Sequence, residues 1–156
     1  MTMEHPLFAA RWFNATGPES VDTLRGVQRR VVAILAFQML CPGCVSIAIP
    51  QMKKVHETFA QDRLALIGLH TVFEHHEAMT PVALEAFLHE YRIRFPVAVD
   101  EPSNGSPIPK TMAAYKMNGT PTLLVFDRDG NLRLNHFGHI DDLALGALLG
   151  QLVAAP

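Results

Sequence analysis

Residues 31–37, VVAILAF, constrain the fold of this chain more than any other segment. Seven apolar residues follow one another without polar alternation, and several are β-branched, which predicts a strand buried on both faces. A strand of that kind belongs to a parallel sheet with helices on each side. A second such run, RLALIGLH at residues 63–70, predicts a neighbouring buried strand. The chain is therefore expected to adopt an α/β fold.

A helix is predicted after each of these two strands. Apolar residues three or four apart after Cys44 predict a helix that ends near Ala60, and Pro50 inside it predicts a kink. Thr80 is expected to cap a second helix that begins at Pro81. The remaining predicted elements are a short strand at 95–99, a loop at 102–109, a short helix at 111–117, a hairpin with strands at 122–126 and 131–137 around a turn at 127–130, and a final helix from Asp141 or Asp142. The early β–α–β–α order predicts parallel strands, and the hairpin adds antiparallel ones at one edge.

Length and composition limit the possible functions. The 156 residues, 49% hydrophobic and 18% charged, predict one domain over residues 1–156, with 1–20 as an N-terminal extension. The net charge is −2 and basic residues cluster no further than pairs, so no nucleic acid partner is expected. The first residues lack the pattern of a secretory signal, and no apolar run is long enough to cross a bilayer. We therefore expect no membrane association and a cytoplasmic location, where a disulfide would be transient and catalytic.

Both cysteines of the chain, Cys41 and Cys44, lie in the segment CPGC, where the first buried strand ends and a helix begins. The thiolate form of cysteine is the nucleophile, and the unpaired N–H groups of a helix N-terminus favour that anion. We expect Cys41 to be the attacking thiol and Cys44, one turn further, to be the resolving thiol. A zinc half-site and two structural cysteines are the alternatives, although no second pair of this spacing supplies further zinc ligands.

Taken together, these segments resemble the thioredoxin superfamily, and within it the redoxin group that includes the TlpA and ResA type of membrane-anchored thiol–disulfide reductases and is related to AhpC/TSA proteins. The segments that carry the resemblance are LRGVQRRVVAILAF, CPGC, LALIGLHT, FLHEYRIRFPVAVD, MNGTPTLLVFDRDG and HFGHIDD. The resemblance implies a thioredoxin-like three-layer fold: a central mixed β-sheet flanked by helices, with an N-terminal extension and an inserted helix–strand element.

The same resemblance implies roles for individual residues. Pro121 of GTPT corresponds to a cis-proline that lies against the cysteine pair, and Thr120 before it offers its backbone to a substrate peptide. Leu40 and Pro42, beside Cys41, are expected to contact substrate. The implied partners are a disulfide-containing protein or a small thiol, and an upstream dithiol reductant. No cofactor and no metal are expected, and the chain is expected to be a monomer or a weak homodimer.

Three positions depart from the family pattern. Leu40 replaces the usual tryptophan before the first cysteine, Leu35 replaces the buried carboxylate of thioredoxins, and Ile47 replaces the glutamate of the membrane-anchored reductases. The usual proton acceptor for Cys44 is therefore missing. We hypothesise that a group of LHTVFEHHE replaces it, and the candidates are His70, Glu74, His75 and His76. The motif interior carries no charge, which favours a moderately reducing pair.

Two other functions remain open from the sequence. In a thiol peroxidase, which shares this scaffold, Cys44 would attack peroxide and Cys41 would stand where a threonine is usual; neither the required hydroxyl nor the arginine can be placed. In a non-enzymatic metal chaperone, the cysteines and the imidazoles of LHTVFEHHE would bind copper or zinc. Copper-delivery relatives of this fold usually have three residues between their cysteines, whereas this chain has two.

Overall fold

A computed structural model of the chain describes residues 5–15 and 20–156. Its strands are β1 (Ala9–Phe13), β2 (Val31–Phe37), β3 (Leu64–His70), β4 (Val97–Asp100), β5 (Thr122–Phe126) and β6 (Leu132–Phe137). Its helices are α1 (Val21–Arg25), α2 (Ile49–Thr58, entered through a π-helical turn at Cys44–Ala48), α3 (Pro81–Glu90), α4 (Lys110–Ala114) and α5 (Asp142–Ala154). Residues 1–4 and 16–19 of the predicted N-terminal extension lie outside the described residues.

The strands form one mixed sheet in the order β1-β4-β3-β2-β5-β6. Strand β3 runs parallel to both β2 and β4, whereas β5 is antiparallel to β2 and β6 is antiparallel to β5. The predicted parallel centre and antiparallel hairpin are therefore confirmed. Strand β1 was not predicted; it pairs antiparallel with β4 and forms the other edge of the sheet.

Helices cover both faces of the sheet, and every residue of β2 is buried. Alternate β2 side chains, such as Leu35 and Phe37, join a core built with α2, α3 and α5. The intervening side chains, such as Ile34, join a second core with α1 and α4. Because β2 and β3 are parallel, their C-terminal ends lie at the same edge of the sheet. The CPGC segment follows β2 at this edge.

The helix after the cysteines differs in form from the prediction. It begins with a π-helical turn at Cys44–Ala48, where the N–H of Ile49 donates to the carbonyl oxygen of Cys44. Pro50 has no N–H and therefore cannot donate the α-helical hydrogen bond to the residue four positions earlier. The regular α-helix begins at Ile49, next to this proline. The kink predicted at Pro50 is thus a change from π-helix to α-helix. The α-helix ends at Thr58, two residues before the predicted end near Ala60.

The predicted cap at Thr80 and the predicted start of the final helix at Asp141 or Asp142 are confirmed. The Thr80 hydroxyl accepts the N–H of Ala83 at 3.2 Å, and Pro81 is the first helical residue. The Asp141 carboxylate accepts the N–H groups of Leu143 and Ala144 at the start of α5. Among the residues that the structure describes, no helix is long and apolar enough to cross a membrane.

Candidate active site at the cysteine pair

The two cysteines occupy different environments at the end of β2. Cys41 closes a turn in which its N–H donates to the carbonyl oxygen of Gln38 at 3.0 Å, and its side chain is partly exposed. Cys44, the first residue of the π-helical turn, has 0% exposure. Neither is in a disulfide here. An incoming molecule therefore meets the sulfur of Cys41 first.

Main-chain groups surround the Cys41 sulfur. The N–H of Cys44 donates to Cys41 Sγ over 3.3 Å, and the Cys41 thiol points to the carbonyl oxygen of Thr120 at 3.5 Å. The N–H group belongs to the first turn of the helix, where backbone donors have no helical partner. Such a donor is placed to stabilise negative charge on this sulfur when it reacts.

The Cys44 thiol is held in its protonated form. Burial raises the pKa of Cys44 from 9.0 to about 12, and the neighbouring Cys41 sulfur adds to the rise. The backbone N–H of Gln38 and the side chain of Thr120 act in the opposite direction. A buried thiol of this kind cannot react first with a large substrate, but it can react with a sulfur already bonded to Cys41.

The loop that carries Thr120 and Pro121 lies directly against the motif. The peptide bond between these residues is cis, and a Cβ atom on Gly43 would be 3.7 Å from Cδ of Pro121. The carbonyl oxygen of Pro121 accepts the N–H of Gly138 at 2.9 Å, which joins the loop to the end of β6. The structure thus brings Thr120 and Pro121 beside the cysteine pair.

Apolar surface borders Cys41. Leu40 is 55% exposed and Ile47 is 46% exposed, and Pro42 is exposed between the cysteines. Next to Pro121, a cavity of about 190 Å³ opens between α2 and the segment after β6. Its lining includes Leu35 and Ile47, the two positions at which a carboxylate was expected by resemblance.

None of the four candidate proton acceptors forms a hydrogen bond with Cys44 in the described part of the chain. His70 is 1% exposed, and burial lowers the pKa of its imidazole from 6.5 to about 4. Its Nε2 atom already accepts the N–H of Met39 at 3.1 Å. Glu74, His75 and His76 lie exposed in the loop after β3. Across residues 5–15 and 20–156, no hydrogen bond joins any of these four side chains to the Cys44 sulfur.

The geometry also bears on the alternative functions. Within the described part of the chain, no three His, Cys, Asp or Glu residues are grouped in a way that could hold a metal ion. The Cys44 sulfur, which would attack peroxide in a thiol peroxidase, is completely buried.

Gln38 is a site residue that the sequence analysis did not identify. It is buried at 1% exposure, and its Oε1 atom accepts the N–H of Phe73 at 3.2 Å, which joins the segment before the motif to the loop after β3. The available signal was a polar residue placed directly after a run of seven apolar ones. Buried polar side chains normally have a hydrogen-bonding task.

The model of the AhpC/TSA family matches residues 6–135. None of the curated proteins compared with the chain matches it. A crystal structure of a thioredoxin-like superfamily protein is 52% identical, with a TM-score of 0.92 over 99% of both chains. A thiol-disulfide isomerase from Corynebacterium glutamicum is 47% identical, with a TM-score of 0.90 over 96% of this chain and 95% of that one. A secreted Mycobacterium tuberculosis disulfide oxidoreductase, 17% identical with a TM-score of 0.65 over 94% and 95% of the chains, shares the fold.

Proposed function

The chain belongs to the AhpC/TSA family of thioredoxin-like proteins, and we propose that it is an enzyme that exchanges the Cys41–Cys44 dithiol with the disulfide of a partner. The observation that carries this proposal is the contrast between the two sulfurs. Cys41 is accessible and accepts a helix N–H, whereas Cys44 is buried, and burial raises its pKa to about 12. Similarity to the C. glutamicum thiol-disulfide isomerase supports the same chemistry.

In the reductive direction, the reaction has two exchange steps. The Cys41 thiolate attacks one sulfur of the partner disulfide, a mixed disulfide forms, and the other partner sulfur leaves and takes a proton. Cys44 then loses its proton and attacks the Cys41 sulfur, which releases the second partner thiol. Two electrons and two protons pass to the partner, and the enzyme is left with a Cys41–Cys44 disulfide. An upstream dithiol reductant restores the starting state, and no bound cofactor takes part.

The surface around Cys41 is suited to a protein substrate. Leu40 and Pro42 present apolar side chains beside the sulfur, and the loop of Thr120 and Pro121 forms the opposite side of the site. The carbonyl oxygen of Thr120 lies 3.5 Å from Cys41 Sγ, so a substrate backbone N–H at this place would be held close to the reacting sulfur. We propose that Leu40, Pro42 and Thr120 bind substrate and that Pro121 is part of the catalytic site with the two cysteines.

Trapping of the mixed disulfide tests the assignment of roles. The reduced Cys44→Ser and Cys41→Ser variants would be mixed with a peptide disulfide and analysed by mass spectrometry under non-reducing conditions. The Cys44→Ser variant should accumulate a mixed disulfide at Cys41, and Cys41→Ser should accumulate none. Wild type should form the intramolecular disulfide reversibly across a dithiothreitol series. Preferential trapping at Cys44, together with rapid peroxide consumption, would instead support the peroxidase function.

A further inference from the structure

Two consecutive peptide groups connect the end of β2 to the cysteine motif, and the second of them is hydrogen-bonded on both sides. In the first, the carbonyl oxygen of Phe37 accepts the N–H of Thr71 at 3.1 Å, and the N–H of Gln38 faces the Cys44 sulfur. In the second, the N–H of Met39 donates to Nε2 of His70 at 3.1 Å, and the carbonyl oxygen of Gln38 accepts the N–H of Cys41 at 3.0 Å. The second peptide group therefore joins the end of β3 to Cys41.

The two partners on the β3 side are the backbone N–H of Thr71 and the imidazole of His70, so His70 alone acts through its side chain. Its position follows from the parallel register, which pairs Phe37 with His70, and the two rings lie 5.2 Å apart between centroids. An imidazole that accepts at Nε2 must carry its proton on Nδ1, and a buried neutral ring can do so. The burial that lowers its pKa to about 4 preserves this acceptor at neutral pH.

The bond from Met39 to His70 fixes the orientation of the second peptide group. A peptide that donates through its N–H becomes a stronger acceptor at its carbonyl oxygen, because hydrogen bonds in a chain polarise one another. Without the acceptor, the Met39 N–H would be unsatisfied, and the turn would rotate towards another partner. The carbonyl oxygen of Gln38 would then leave Cys41, and the Cys41 sulfur would lose its alignment with the N–H of Cys44.

We infer that His70 is a positioning residue for the nucleophile: by accepting the Met39 N–H, it fixes the peptide group that holds Cys41 at the start of the helix. The inference deepens the proposed function and rests on it for the role of Cys41. It assigns to His70 a task other than proton transfer, since the atom that would take a proton from Cys44 is already occupied.

The test compares three substitutions that differ in the acceptor they offer. In His70→Gln, the side-chain oxygen can reach the place of Nε2, whereas in His70→Leu there is no acceptor and in His70→Asn the amide is one bond too short. His89→Leu is the matched control, because the His89 side chain is 76% exposed on α3. The readouts are the rate at which iodoacetamide alkylates Cys41 in the reduced protein at neutral pH, and near-UV circular dichroism as a check of folding.

We expect about tenfold slower alkylation of Cys41 in His70→Leu and His70→Asn, the effect of losing one aligned donor to a charged group. His70→Gln should stay within about twofold of wild type, and His89→Leu should not differ from it. A folded His70→Leu or His70→Asn with the wild-type rate would overturn the inference. A His70→Gln variant that is unfolded, or as slow as His70→Leu, would also overturn it, because the ring shape rather than the acceptor would then matter. Alkylation needs no partner disulfide, so failure of the trapping experiment with normal His70 results would refute only the exchange function.

Discussion

The buried sulfur of Cys44 should be almost inert in the folded protein once Cys41 has been replaced. Burial is the largest cause of the rise in its pKa from 9.0 to about 12, and it persists in the Cys41→Ser variant. The full rise of three units would lower the thiolate fraction at neutral pH by about a thousandfold, and in this variant the part that burial causes remains. The thiolate is the reacting form, and the higher nucleophilicity of a less acidic thiolate offsets only part of its lower population, so alkylation of Cys44 should be at least about thirtyfold slower in the folded variant.

The assay measures the alkylation of one thiol in two states of one variant. Reduced Cys41→Ser protein would be treated with iodoacetamide in buffer and in concentrated guanidinium chloride at the same pH, and the modified fraction would be followed by mass spectrometry. The Cys44→Ser variant is the matched control, because its partly exposed Cys41 should show a much smaller difference between the two states. If folding slowed the reaction of Cys44 by less than about thirtyfold, the argument from burial would be refuted.

The remaining predictions concern the proton acceptor, pH and one helix cap. Ile47→Glu places a carboxylate at the rim of the cavity beside the motif, where it is expected to accept the Cys44 proton as a general base. Rapid-quench measurements should then show Cys44 releasing the mixed disulfide several times faster than in Ile47→Gln, which offers no such base. The folded-state pKa of His70, about 4, lies below its ordinary 6.5, so the unfolded chain binds more protons in this range. Stability should therefore fall as the pH drops from about 6.5 through 4, and urea titrations of wild type should lose about 3 kcal/mol more than those of His70→Gln. Thr80→Ala removes the hydroxyl that accepts the Ala83 N–H and should lower the free energy of unfolding by about 1 kcal/mol, as measured by the urea midpoint; no change would contradict a role for this cap.

The sequence predicts the centre of the fold because its elements carry their own signals. Strand β2 is an unbroken apolar run, and Thr80-Pro81 is a complete helix start. Strand β1 has no such signal, since its five residues are mostly half-exposed and it depends on pairing with β4, far along the chain. The π-helical turn at Cys44–Ala48 was expected only as an irregularity, because a missing N–H at Pro50 shows where α-helical bonding fails but not how the backbone adapts.

The chemistry of the site was predicted less completely, and His70 shows why. The sequence places this histidine at the end of a strand that is expected to lie beside the cysteines, which makes it a reasonable candidate for the proton acceptor of Cys44. The parallel register places it opposite Phe37, where burial opposes its protonation and Met39 occupies its free nitrogen. Neither effect is visible without the pairing of β2 with β3.

This arrangement has a consequence for the rate of the resolving step. Burial is the largest cause of the raised pKa of Cys44 and remains when Cys41 is bonded to substrate, so deprotonating Cys44 in the mixed disulfide costs more than deprotonating an ordinary thiol. Leu35 and Ile47 leave no carboxylate at the usual places, and His70 is occupied. The first exchange step does not require Cys44 to lose its proton, and its nucleophile, Cys41, is accessible and accepts the N–H of Cys44. Resolution should therefore limit turnover, so that at steady state most of the wild-type enzyme molecules carry a substrate sulfur as a mixed disulfide on Cys41.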